Sequence, residues 1–113
     1  MEALRIPDLA NACEMAREDP NIKVVSQILI DNLEVSDWVK LSHAGERFEV
    51  KIEESVTKGE EFIGTVRSDL TFNHPFKFGD FIYFESKNIF DLLGWASVET
   101  KMANQVFKEA DKG

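Results

Sequence analysis

The chain has a single cysteine, Cys13. An intrachain disulfide is therefore impossible, and every metal or redox motif built on a cysteine pair is excluded. A reducing compartment is the simplest reading. No stretch approaches the ~20 apolar residues that a membrane span requires. The opening residues, Met1 to Pro7, lack the basic start and apolar run of a secretory leader. A cytoplasmic location is expected. Positive charge is scarce as well, with 13 Lys and Arg against 21 Asp and Glu, a net charge of -8. Non-specific nucleic-acid affinity comes mainly from Lys and Arg releasing counterions, so direct binding to DNA or RNA is not expected. The common catalytic signatures are missing too: there is no G-x-S-x-G elbow, P-loop, dinucleotide fingerprint or H-E-x-x-H helix. The expectation is a protein that is not an enzyme and needs no cofactor.

What is present is enough apolar surface for one core. Of 113 residues 43% are hydrophobic, nine of them Phe, and 30% are charged. These values place residues 1–113 in a single globular domain. Its layout reads as helical over 7–33, a β core over 37–86 and a C-terminal helix over 97–110. Pro7 suits a first helical turn, and Leu9, Ala12, Cys13 and Ala16 make one apolar stripe over 7–18, which buries Cys13. Asp19-Pro20 ends that helix and suits the start of another. In 21–33, Ile22, Val25, Leu29 and Leu33 fit a helical stripe, while the β-branched run also fits a buried strand; helix is preferred.

From Asp37 the pattern is that of strands. Trp38 to Ser42 leads through the turn His43-Ala-Gly-Glu46 into Arg47 to Glu53, where Phe48, Val50 and Ile52 alternate with charged residues. Such alternation predicts a hairpin with one wet face. A turn at Lys58-Gly59 precedes a strand over 61–67, in which Gly64 marks a bend or bulge. Residues 70–79 form a loop around Pro75, 80–85 another strand, and 88–93 a helical turn. The last helix carries an apolar stripe of Met102, Ala103, Val106, Phe107 and Ala110, which offers a face to the sheet or to a second copy in a homodimer.

Residues 35–92 also carry an ordered set of motifs: Ser36-Asp-Trp-Val-Lys40, Gly45-Glu-Arg-Phe-Glu-Val50, Phe62-Ile-Gly-Thr-Val-Arg-Ser-Asp-Leu70, Gly79-Asp-Phe-Ile-Tyr-Phe84 and Asn88-Ile-Phe-Asp-Leu92. In order and spacing this stretch resembles a group of small bacterial and mobile-element domains of unknown function, whose core runs G-E-R-F-W-V, then G-x-V, then G-D-x-I-x-F. The resemblance implies a small Src-homology-3-like barrel and no chemistry; with the N-terminal and C-terminal helices, which lie outside the matching stretch, the fold expected is α+β, a small antiparallel curved sheet or barrel flanked by helices. Glu49 stands where the group carries Trp, and Ser36 where it carries Gly.

For the candidate sites, His43 and His74 both fall in predicted turns. Metal centres need more ligands than a pair of histidines supplies, so each reads as a solvated loop residue, with their meeting in space left open. The close carboxylate pairs, Glu53-Glu54 and Glu60-Glu61, read as solvated turn charges. Aromatic residues remain, and anchors of this kind within a polar rim carry much of an interface's affinity. The function expected is a non-enzymatic binding module that docks an acidic, aromatic-bearing surface on a basic protein partner, an inhibitor being one form. Its contact residues would be Arg47, Phe72, His74, Phe76 and Trp95. The alternative is a sponge or sensor for a nucleotide-like small molecule held by Arg47 and Arg67.

Overall fold

The computed structural model describes residues 2–22 and 24–93. Trp95 and the helix expected over 97–110, with the dimer contact assigned to it, lie outside the described residues. The elements in chain order are β1 (Leu4–Arg5), α1 (Ala12–Glu18), α2 (Gln27–Asp31), β2 (Trp38–His43), β3 (Glu46–Thr57), β4 (Glu61–Val66), β5 (Phe81–Glu85), a 3-10 turn (Ser86–Asn88) and β6 (Asp91–Leu93). They make a mixed α+β fold around one six-stranded sheet of order β1-β5-β4-β3-β2-β6. Only the β1/β5 pairing is parallel. The sheet does not close on itself: β1 and β6 form its two ends. Among the described residues no helix is long and apolar enough to cross a membrane.

The hairpin read from alternation is formed in the expected register. Phe48, Val50 and Ile52 are buried in the core beside Val39, Leu41, Phe62, Val66, Ile82 and Phe84. Its turn is the two-residue Ala44-Gly45 with φ of 51° and 81°, since His43 pairs directly with Glu46. Two left-handed residues in succession match the twist of an antiparallel pair. The register of β3 on β4 shifts between Ile52 and Glu54 and again between Ser55 and Thr57. The irregularity expected at Gly64 therefore falls on the strand opposite it. Glycine is needed there because a Cβ would meet Val50 Cγ1 at 2.3 Å and the Lys51 carbonyl at 2.8 Å.

The helical forecast over 7–33 was too generous. Asn11 caps α1, accepting from the Glu14 amide at 3.1 Å, so that helix begins five residues past Pro7, at Ala12. The preceding segment is held to the sheet instead: Leu9 bridges to His43, and the Ala10 amide donates to the Ser42 carbonyl at 2.9 Å. Ala12 takes the buried position and Cys13 is only half-buried, a correction to its expected place in the core. Asp19 closes α1 rather than opening a second helix, through its amide to the Met15 carbonyl and its carboxylate to the Asn21 amide. Among the described residues of 21–33 only α2 is helical. Gln27 ties it to the β3–β4 turn, its Nε2 donating to the Gly59 carbonyl at 2.7 Å.

The helical turn expected over 88–93 ends at Asn88, the last residue of the 3-10 turn, and Asp91–Leu93 form a strand. Leu92 pairs with Val39 and Asp91 with Lys40, which makes this segment the outermost strand beside β2. The wet face of the sheet is of mixed charge. Asp91, Lys40 and Glu49 lie directly opposite one another across β6, β2 and β3, and Arg67 follows, its amide donating to the Glu49 carbonyl. Exposed negative charge sits on helices and loops, at Glu14, Glu18, Asp31, Glu34 and Asp69, and on strands at Glu54 and Asp91.

Candidate functional site

The loop between β4 and β5 is fixed at both ends and in the middle. At its far end the Lys77 amide donates to the Asp80 carboxylate at 3.0 Å, and the Gly79 amide donates to the Val66 carbonyl at 2.8 Å. In the middle, Glu46, the first residue of β3, accepts from the amides of Thr71 at 2.7 Å and Phe72 at 2.9 Å. The same carboxylate lies 2.8 Å from His74 Nε2. Donation from His74, then from the Thr71 and Phe72 amides, holds the Glu46 carboxyl at about 2 against its usual 4.5. A carboxylate can only accept, so His74 Nε2 carries a proton.

The other face of that imidazole meets a second one. His74 Nδ1 lies 2.7 Å from His43 Nδ1, and the two side chains are 0% and 5% exposed respectively. On the far side of His43, Asp8 Oδ1 approaches Nε2 at 2.9 Å but without the alignment of a hydrogen bond. The result is a continuous chain Asp8, His43, His74, Glu46, running from a largely exposed carboxylate to a shielded one. Phe76 seals it: its ring stacks on His74 with centroids 5.1 Å apart, stands edge-on to His43 at 5.4 Å and packs on Phe48 at 5.0 Å. Both histidines are thus internal, a correction to the solvated loop residues expected. The cause is mutual partnering, which makes burial of an imidazole affordable.

Of the residues singled out from sequence, the structure brings His74 and Phe76 together, but as the buried clamp of the loop rather than its contact surface. Phe76 is 4% exposed. Phe72, by contrast, is 55% exposed, and Phe78 and Phe81 stand out near it in sequence at 53% and 40%. The sequence reading missed His43, Glu46 and Asp8 as parts of one unit. The only signal was the pairing of a histidine and a glutamate on either side of the two-residue turn.

Arg47 lies elsewhere, its guanidinium 4.9 Å above the Phe90 ring beside a shallow depression lined by Asn21, Ile22 and Asp91. Arg67 is half-buried, and its Nε lies buried with no hydrogen-bond partner among the described residues. A groove of about 550 Å³ runs between β5 and the segment before α1, lined by Arg5, Asn11, Glu14, Tyr83 and Lys87 among others. Neither it nor the depression at Arg47 includes Arg67. At the groove's edge Arg5 lies 4.2 Å over the Tyr83 ring, and the Tyr83 hydroxyl donates to Glu61. That hydrogen bond lowers the Glu61 carboxyl, with help from Thr57, and raises the Tyr83 phenol. Among the described residues no group of three or more His, Cys, Asp or Glu side chains is placed to hold a metal ion.

No protein-family model, no curated protein and no solved structure matches the chain.

Proposed function

We propose that this protein is a non-enzymatic binding module that presents the aromatic side chains of the loop at 70–80 to a basic protein partner. One observation carries the reading: the loop is clamped from inside by Glu46, His74 and Phe76 while Phe72 and Phe78 are held out in water. Large apolar side chains on a segment already fixed in place lose little further freedom on association, which is the condition for an efficient anchor. The net charge of -8 supports a basic partner, since complementary fields speed encounter and suppress like-charged competitors. An inhibitor is one form such a module takes.

We include in the proposal the Src-homology-3-like character of the sheet and the kinship of residues 35–92 with the domains they resemble. In support, β3 is long and irregular, and position 49 faces the wet side, so the group's Trp would stand on an outer surface that Glu49 occupies here.

The test is capture from a cell lysate by the wild-type chain and by a Phe72→Ser, Phe78→Ser double variant at low and high salt. Retention of a basic protein that weakens with salt, and that the double variant loses while keeping the wild-type melting temperature, supports the reading. Recovery of nothing at any salt, or equal recovery by the double variant, overturns it.

A second reading rests on Arg67, whose buried Nε has a free donor. In it the chain takes up a nucleotide-like anion through Arg67 and Arg47. A nucleotide panel in a thermal-shift assay decides, because only a ligand of the native state raises the midpoint.

A further inference from the structure

Two imidazoles have four ring nitrogens, and in this structure two of them face each other at 2.7 Å. That distance holds one proton: one Nδ1 donates and the other accepts. The outer nitrogens are free to carry one each, His74 Nε2 toward Glu46 and His43 Nε2 toward Asp8. The pair therefore accommodates up to three protons, equivalent to one imidazolium between two carboxylates. A fourth proton sets N–H against N–H at the central contact and adds a second positive charge in a space sealed by Phe76.

We propose that His43 and His74 form a proton-counted latch, which seats residues 70–76 while the rings share the central proton and releases them when both rings are fully protonated. The charged groups that touch the rings among the described residues are Asp8, from the segment before α1, and Glu46, from the start of β3. The remaining neighbours, Leu9 bridged to His43 and Phe76 against both rings, carry no charge. Asp8 is 74% exposed, so water screens its charge. Glu46 already accepts from two amides and His74, and it stays ionised well below the range in which imidazoles change charge. Neither carboxylate relieves the collision at the centre. The bond that must break is the His43–His74 contact, and it takes the loop with it because His74 is the loop's only ring in that chain.

Release deepens the proposed binding role and depends on it for its consequence: a freed loop no longer holds Phe72 in one pose, so capture weakens in acid. The opening itself does not depend on that role and is measured without a partner. These are the only two histidines in the chain, so imidazole nitrogen-15 signals followed through an acid titration report on them alone. Amide hydrogen exchange, corrected for its intrinsic pH dependence, reads the Thr71 and Phe72 protons that bond to Glu46, and ring nitrogen-15 shifts count the protons on the pair. Expected is a fall in protection at both amides by about tenfold or more as the second ring becomes cationic, with the β2–β3 amides unchanged. In His43→Phe, where His74 is free to become cationic beside Glu46, the two amides keep their protection in acid. Full protonation of both rings with Thr71 and Phe72 still protected overturns the latch, and the nitrogen-15 arm needs only the wild-type chain. Acid release without any partner captured at neutral pH sinks the binding role and leaves the latch standing.

Discussion

The Glu46 carboxylate and the His74 imidazole meet at 2.8 Å, joining the tip of the β2–β3 hairpin to the loop before β5. Because the folded carboxyl is held at about 2 and its usual value is 4.5, Glu46 contributes stability that is present above about pH 4.5 and lost as the pH falls toward 2. Other carboxylates titrate there too, so the observable is a difference. In the His43→Phe background, where the loop stays seated in acid, the gap in urea midpoint between the parent and Glu46→Gln is expected to be widest near neutrality and to close between pH 4.5 and 2. A gap that stays constant over that interval contradicts the assignment.

Tyr83 is the chain's one tyrosine, so its ionisation can be followed by ultraviolet absorbance without interference from another phenol. Its hydrogen bond to Glu61, and the negative charge beside it, raise the phenol above its usual 10. The folded state thus holds that proton more tightly than the unfolded chain. The stability this provides is intact below pH 10 and declines as the pH rises from there through the folded value. In Glu61→Gln the tyrosinate transition is expected to move down toward 10. An unchanged transition would show that the carboxylate is not the cause.

Gly64 sits where β4 passes beneath Val50 and Phe84. A methyl group there would lie 2.3 Å from Val50 Cγ1 and 2.8 Å from a backbone oxygen, and backbone cannot swing aside as a side chain can. Gly64→Ala is expected to cost about 1–3 kcal/mol, seen as a lower urea midpoint with an unchanged slope. A variant as stable as the wild type would mean that the strands separate more easily than their pairing suggests.

The strands of the hairpin were legible because Phe48, Val50 and Ile52 alternate with charge over a run long enough to show its period, and Ala44-Gly45 marks the turn. What stayed hidden was set by distant partners. Leu9 carries a helical spacing, but its backbone pairs with His43. Leu4–Arg5 and Asp91–Leu93 are too short to show a period, and become strands only because β5 and β2 offer free edges. His74 in a polar loop looks solvated until the fold brings His43 against it. Phe76 and Phe72 look alike in sequence because nothing local states which of them turns inward.

That last distinction gives the sharpest contrast between two chemically identical substitutions. Phe76 packs on Phe48 and on both imidazoles and is 4% exposed, so Phe76→Ala removes a buried ring and uncovers a charged chain. The expected cost is about 3–5 kcal/mol. Phe72 is 55% exposed, and its backbone amide donates to Glu46, a bond that alanine keeps. Phe72→Ala should change stability by no more than about 0.5 kcal/mol. Chemical denaturation of the two variants side by side measures both. If Phe72→Ala proves as damaging as Phe76→Ala, the Phe72 ring belongs to the core, and a loop that presents it to a partner is ruled out on stability grounds alone.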